Sequence, residues 1–293
     1  MAKKKTKIDG FDVINNIILI LFAVVVFYPF WDLLLTSFSN PVETTSLGLH
    51  LWISEWRIDS YQYALSDPVV GYAYINTILR TVIGTILAII MTIMAPYPLS
   101  KRLLPGRSII TIYFLITMFF SGGLIPFYLL IRSLKLINSF WVMVIPSMLS
   151  VYNVVILRNY MMNIDKTLEE SAFMDGAGYI TTLVNIVIPV SKPVIATIIL
   201  WTAVGHWNEW FHAMIFIRDE KKTVLQVIFR RMLLFLKTES EQLMELSLEK
   251  ERQIIGATVR AAITMITIGP IILVYPFLQK YFIKGIMVGS LKG

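Results

Sequence analysis

The sequence predicts an all-α integral membrane protein, and three observations carry that prediction. Of its 293 residues, 56% are hydrophobic and only 15% are charged. The resulting mean hydropathy of +0.70 means more apolar surface than a water-soluble core can bury. Six apolar runs approach the roughly 20 residues a helix needs to cross a bilayer, and Lys and Arg cluster in alternate flanks of those runs. The chain has no cysteine, which removes thiol catalysis, disulfides and cysteine-ligated metal sites. Its three histidines, His50, His206 and His212, are too scattered to mark a metal site.

Taken in order, the spans are expected at about 13–36, 75–98, 109–131, 139–158, 192–217 and 257–281, as one domain with its core at about 70–281. The opening MAKKKTK before an apolar run also suits a signal peptide. The run is long, however, and no small-x-small cleavage site follows, so residues 1–36 read as a tail and an uncleaved first helix. In the third span SGGLIP, residues 121–126, reads as a kink or a close helix contact. The fourth and fifth spans are joined by a loop at 159–191, and the fifth and sixth by a loop at 218–256. In that last loop TVLQVIFRRMLLFLK reads as an amphipathic helix. As a seventh span it would place Arg230 and Arg231 in mid-bilayer, at about 2.5–3.5 kcal/mol each.

Six spans return both termini to one side, and the basic flanks say which. With the N-terminus cytoplasmic, that face carries Lys3, Lys4, Lys5 and Lys7, then Lys101, Arg102 and Arg107, then Arg158, Lys166 and Lys192, then Lys280, Lys284 and Lys292. The first two outer loops hold only Arg57, Arg132 and Lys135. Since Lys and Arg flanks resist translocation, cytoplasmic termini are expected.

The 159–191 loop is too apolar for a solvated linker and too rich in acids and glycine for a span. Asp165 can cap a helix there, or Thr167 can do so in a capping box with Glu170. The helix runs through LEESAFM and stops at Asp175, Gly176 and Gly178, because glycine allows the positive-φ turn that ends a helix. A second short helix, YITTLVNIV, is expected to stop before Pro189. Ser171 and Ala172 are small enough for another backbone to approach, beside the apolar Leu168 and Met174. A plain interfacial helix lying on lipid headgroups is the alternative.

Glu170-Ser171-Ala172, then Asp175-Gly176-Ala177, then Ile186-Val187-Ile188-Pro189 resemble, in residue type and spacing, the EAA signature of ABC importer permeases. That signature is Glu-Ala-Ala, three residues, Gly, nine residues, Ile-x-Leu-Pro. The chain departs from it mildly at Ser171, at Ile188, and at Asp165, where sugar permeases often have proline. FSGGLIPFYLLIRSLKLINS at 120–139, WNEW at 207–210 and the C-terminal YFIKGIMVGSLKG extend the likeness to most of the chain. They point to MalG-like permeases of the carbohydrate class, in the subgroup of the lipoprotein-type, complex-polysaccharide and alginate permeases.

The resemblance implies a type I ABC importer permease with six helices and a multi-pass place in the bacterial cytoplasmic membrane. In it the 159–191 loop is the coupling helix that docks in a cleft of an ATPase. Glu170, Ser171, Ala172, Asp175, Gly176 and Ala177 form the docking segment, with Glu170 set to meet a basic residue of the ATPase. It implies a second, homologous permease, two ATPase subunits and an extracytoplasmic solute-binding protein that the 218–256 loop reaches towards. It also implies an oligosaccharide cargo, with a lean to uronate-bearing chains, and a C-terminal tail that reaches the ATPase. No GxxxxGK[ST] phosphate loop occurs in the chain, so ATP and Mg belong to the partner and no cofactor is expected here.

Polar and aromatic groups inside spans are the physical candidates for a sugar pathway: Asn76, Arg80, Trp201, Trp207, Asn208 and Glu209, with His206 and Trp210 beside them. The plain alternative for each is packing, interhelical bonding or interfacial anchoring. Arg80 is the one basic residue well inside an expected span, and it either snorkels to the interface or pairs with Asp32 or Glu209. A secondary transporter moving a small polar solute on an ion gradient is the competing class, usually marked by more helices or internal repeats, and no repeat is visible. A membrane enzyme would need an acid, base or metal cluster at one face, and the sequence offers none.

Overall fold

The computed structural model describes residues 10–40, 51–243 and 256–273. Helices and turns make up those residues, and no strand occurs among them. In chain order they are α1 (Gly10–Phe38), α2 (Asp59–Leu65), α3 (Pro68–Met94), α4 (Pro96–Ser100), α5 (Arg107–Phe119), α6 (Leu124–Ser133) and α7 (Val151–Met162). Then come α8 (Lys166–Met174), α9 (Tyr179–Thr182), α10 (Ile188–Asn208), α11 (Phe211–Phe216), α12 (Leu225–Leu243) and α13 (Gly256–Leu273). Short 3₁₀ turns at Phe140–Met143 and Ile145–Ser147 precede α7.

Among the described residues, four helical stretches are long and apolar enough to cross a membrane: Gly10–Phe38, Pro68–Ser100, Tyr179–Phe216 and Gly256–Leu273. Two bent pairs reach that standard only when each is taken as one span. Arg107–Phe119 and Leu124–Ser133 meet at 112°, far more than a kink, with the SGG of SGGLIP as the break. Phe140–Ser147 and Val151–Met162 meet at 41°. Pro146 lies in the second 3₁₀ turn of that pair, where its missing N–H and fixed φ suit a tight turn better than an α-helix interior. From Leu225 onward the segment 223–237 lies in α12, which is not among the candidate spans. The end of the sixth expected span, the 244–255 part of the last loop, the basic N-terminal tail, His50 and the C-terminal YFIKGIMVGSLKG lie outside the described residues.

One expectation is overturned at Pro189. The second short helix of the 159–191 loop does not stop before it. Instead α9 passes through a π-helical turn at Leu183–Val187 straight into α10, with Ile188 at φ −62° and ψ −49°. The wider π turn shifts the hydrogen-bond ladder where proline lacks its N–H, so the helix continues where an α ladder alone would break. A second proline, Pro193, is accommodated within the same helix.

The chain falls into two contact units, one from residues up to Asp67 together with Phe229–Ile268, the other from Pro68–Ile228 together with residues from Gly269 onward. In the first unit Ala64, Val259 and Ile263 pack with Phe229 and Met232, and Ser37 meets the Tyr61 hydroxyl at 2.8 Å.

The second unit carries the candidate site. One of its clusters joins Tyr97, Leu157, Met161, Val187, Ile195 and Ile198, and another joins Ile131, Val142, Met143, Phe216 and Val224. Its main helix pair is α3 against α10. Val70, Ala73, Thr77, Arg80, Gly84, Ala88 and Thr92 are the buried positions along α3, and small residues on that stripe let the backbones approach. At Gly84 the approach is closest, since an added Cβ would lie 2.6 Å from the His206 ring. Gly84→Ala gains about 0.5–1 kcal/mol of helix propensity but overpacks the contact at about 1–3 kcal/mol. The variant is therefore expected to melt below the parent in detergent, whereas Gly71→Ala on the same helix, with nothing within 4 Å, is expected to match or exceed it. Equal melting of the two variants would show that the His206 contact yields freely.

Candidate functional site

Where α3, α7 and α10 face one another, a cavity of about 320 Å³ opens, at the lower end of the roughly 300–1,000 Å³ of small-molecule sites. Its wall is mixed. Trp201 and Tyr152 bring ring faces, their centroids 6.0 Å apart at 47°, while Ser150, Asn153, Thr202 and His206 bring polar atoms. Ser150 caps α7 by accepting from the Asn153 N–H, which starts that helix at the rim and aims the next residues inward. The Trp201 indole N–H donates to Asn153 Oδ1 at 3.0 Å, and Asn153 Nδ2 lies 3.4 Å from Thr202 Oγ1. This trio ties α7 to α10.

Arg80 and Glu209 close one end of the cavity. Arg80 is 1% exposed, so it does not snorkel, and Glu209 rather than Asp32 is the ion-pair partner the structure gives it. Its Nη1 also donates to the Glu209 carbonyl at 2.7 Å and its Nε to the Met143 carbonyl at 3.2 Å. Glu209 sits between α10 and α11, where its other carboxylate oxygen accepts from the His212 N–H at 2.8 Å and lies 3.1 Å from His212 Nδ1. One acid thus satisfies an intramembrane cation and caps the helix that follows.

Of the sequence candidates, Arg80, Trp201, Glu209 and His206 line the cavity, while Asn76, Trp207, Asn208 and Trp210 are not among its lining residues. Asn76 Nδ2 donates to the carbonyls of Lys221 and Thr223 at 2.8 and 2.9 Å. The next residue, Thr77, accepts from the Leu225 N–H at 2.9 Å. Together they brace the chain leading into α12. Trp207 is buried edge-on against Tyr74, with centroids 6.1 Å apart, and Asn208 Oδ1 accepts from Gln226 at 3.4 Å. Sequence reasoning missed Tyr152, Asn153 and Thr202. The available signal was Ser150 as a cap, which would have placed the three residues after it, Tyr152 and Asn153 among them, in the first turn of a helix.

At the far end of the same helices stands α8. Asp165 is its N-cap and accepts from the Thr167 N–H at 3.0 Å, so the Asp165 cap forms rather than the Thr167 box. At the other end Gly176 has φ +84°. Its N–H donates to the Phe173 carbonyl at 3.0 Å and the Ala177 N–H to the Ala172 carbonyl at 2.9 Å. These two bonds make a Schellman motif, which satisfies the last carbonyls and turns the chain sharply. Phe173 then meets Tyr179 edge-on at 5.2 Å, holding α8 against α9.

The two adjacent acids of α8 part company. Glu169 pairs with Lys101, whose ammonium sits 4.3 Å over the Tyr97 ring, and Tyr97 belongs to the core of the second unit. Glu170 is exposed, as are Met174 at 87% and Ile180 at 79%. The outward face is therefore an acid with apolar knobs, and the inward face is an ionic tie to the helix bundle.

Comparison with known proteins agrees with this architecture. The family described as binding-protein-dependent transport system inner membrane component matches residues 69–288. Protein LplC of Bacillus subtilis is 35% identical over 285 residues, covering 97% of this chain and 95% of that protein. The polygalacturonan/rhamnogalacturonan transport system permease protein YtcP of the same organism is 33% identical, covering 97% and 98%. A crystal structure of a bacterial ABC transporter involved in the import of the acidic polysaccharide alginate contains a chain that superimposes with a TM-score of 0.81. That chain is 31% identical, with 96% of this chain and 100% of that one covered.

Proposed function

The chain belongs to the binding-protein-dependent transport system inner membrane components, as a carbohydrate-class ABC transporter permease, and on that premise we propose that it is one half of an ATP-driven importer for acidic oligosaccharides. It lies in the bacterial cytoplasmic membrane with both termini inside and pairs with a second, homologous permease. Two ATPase subunits dock from the cytoplasm, and a solute-binding protein delivers the oligosaccharide from outside. Alternating access of the paired permeases carries the cargo through. The acidic cargo is supported by the polygalacturonan/rhamnogalacturonan permease and the alginate importer among its relatives.

The observation that carries the reading is α8. It is a nine-residue helix with a side-chain cap, a Schellman turn and exposed Glu170 and Met174 on one side, while Glu169 anchors the other to Lys101 and Tyr97. An element built this way can take a push from a docked protein and pass it inward as a rigid body. Glu170, Ser171, Ala172, Asp175, Gly176 and Ala177 form the docking segment in this reading, and ATP and Mg stay on the partner.

Because the chain has no cysteine, Met174→Cys gives a single reporter on the docking face. In the complex reconstituted in proteoliposomes, that thiol is expected to crosslink to the ATPase, and uptake is expected to need both ATP and the loaded binding protein. Uptake driven by an ion gradient without ATP, or ATP-driven uptake with no crosslink from α8, would reject the coupling role.

A further inference from the structure

Uptake of a charged oligosaccharide suggests a cationic cavity, but the cavity between α3, α7 and α10 is not one. Arg80 is its one Lys or Arg, and that guanidinium is spent on Glu209 and two carbonyls while almost fully buried. Glu209, its one carboxylate, is shared between Arg80 and His212. The pair cancels, so the wall has no fixed charge left for a carboxylate.

What the wall does present is an aromatic shelf beside hydroxyl and amide groups. Trp201 is 37% exposed and Tyr152 55%, and both border the cavity. The indole plane is held in place from below, because its N–H is bonded to Asn153, itself 6% exposed and reaching Thr202. A π face is electron-rich and attracts the weakly positive C–H edges of an apolar ring face. A few placed polar atoms beside such a face then set the orientation of the ligand. Interhelical bonding alone would account for the Asn153 contacts, but it would not call for two partly exposed aromatic side chains bordering one cavity with hydroxyl groups in its wall.

We propose that Trp201 and Tyr152 form a subsite that stacks one pyranose ring of the passing chain, with Ser150 and Thr202 meeting its hydroxyls. This rests on the carbohydrate-importer reading above and makes this half of the permease pair a direct contributor to the pathway. The subsite reads ring faces and hydroxyls, so recognition of the acid group belongs elsewhere in the complex. Asn153 is a positioning residue that holds the indole plane.

The test is uptake per ATP hydrolysed in proteoliposomes holding both permeases, the ATPases and the binding protein loaded with a galacturonate oligosaccharide. Trp201→Ala is expected to lower that ratio about tenfold, the scale of removing an aromatic anchor from a binding site. Trp201→Phe keeps a ring face without the N–H and is expected to retain most of it. A parental ratio in Trp201→Ala overturns the subsite. So does equal damage from Trp201→Phe and Trp201→Ala, which would make the bond to Asn153 the whole effect. Should Trp201→Ala not assemble, Tyr152→Ala carries the same test from the more exposed ring, and an unchanged ratio there also overturns the proposal. A parental complex that hydrolyses ATP but imports no saccharide rejects the importer reading itself, a failure distinct from that of the subsite.

Discussion

Replacing Glu209 by alanine is expected to destabilise the folded permease by about 3–5 kcal/mol, the scale of leaving one partner of a buried ion pair alone. Arg80 is the reason. It is 1% exposed, and the remaining acceptors, the Met143 and Glu209 carbonyls, do not neutralise it. The same substitution removes the acceptor of the His212 N–H and so leaves a first-turn amide of α11 unsatisfied. Little folded protein should be recovered from the membrane, and what is recovered should melt early in detergent. Removing both charges with Arg80→Met and Glu209→Gln should restore most of the yield, because an apolar replacement of a buried pair is often neutral or better and glutamine still offers an oxygen to His212. Exchanging the two charges should not, since an arginine at 209 cannot accept from His212. Wild-type yield and melting in Glu209→Ala would show that the pair contributes little.

The second large effect is expected at Gly176. Its φ of +84° is a left-handed conformation, and an added Cβ would touch nothing within 4 Å. The penalty of a side chain there is therefore backbone strain alone, about 1–2 kcal/mol for most residues and more for a β-branched one. Spread over a docking equilibrium that needs the Schellman turn, that is roughly a 5- to 30-fold loss of competent α8. The expected order of ATP-driven uptake is Gly, then Asn, then Ala, then Val, because asparagine tolerates the left-handed region best among the replacements. Gly178 has φ −82°, so Gly178→Ala serves as the control and should leave uptake near the parent. Matching losses at the two glycines, or none at Gly176, would separate the turn from coupling.

The legible parts of this protein are the local ones. The Asp165 cap and the Gly176 stop of α8 depend on residues within a turn of each other, so spacing in the sequence finds them. The one local rule that misled was proline as a helix stop. Pro189 follows a π turn, and the helix absorbs it within a packed environment where Val187 and Ile195 are both buried. The break at SGG was readable as a kink, but its size, 112°, was not. The amphipathic reading of 223–237 was accessible for a similar local reason, since the cost of two mid-bilayer arginines is a property of the segment itself.

The sequence by itself determined the membrane class, the positions of the apolar runs and the form of α8, because hydropathy, capping and glycine stereochemistry act over a few residues. Tertiary structure decided which polar groups belong to the cavity. Asn76 and Arg80 are four residues apart on one helix, yet one braces the chain at Lys221 and Thr223 and the other closes the cavity with Glu209, 129 residues away. Packing of α3 on α10 around Gly84 sets that assignment, as it sets Trp201 towards the cavity and Trp207 towards Tyr74. The seat of α8 against Lys101 likewise separates Glu169, tied to that lysine, from Glu170, turned outward. A helix turns its side chains by about 100° per residue, so neighbours in sequence face different partners, and only the docked helices say which.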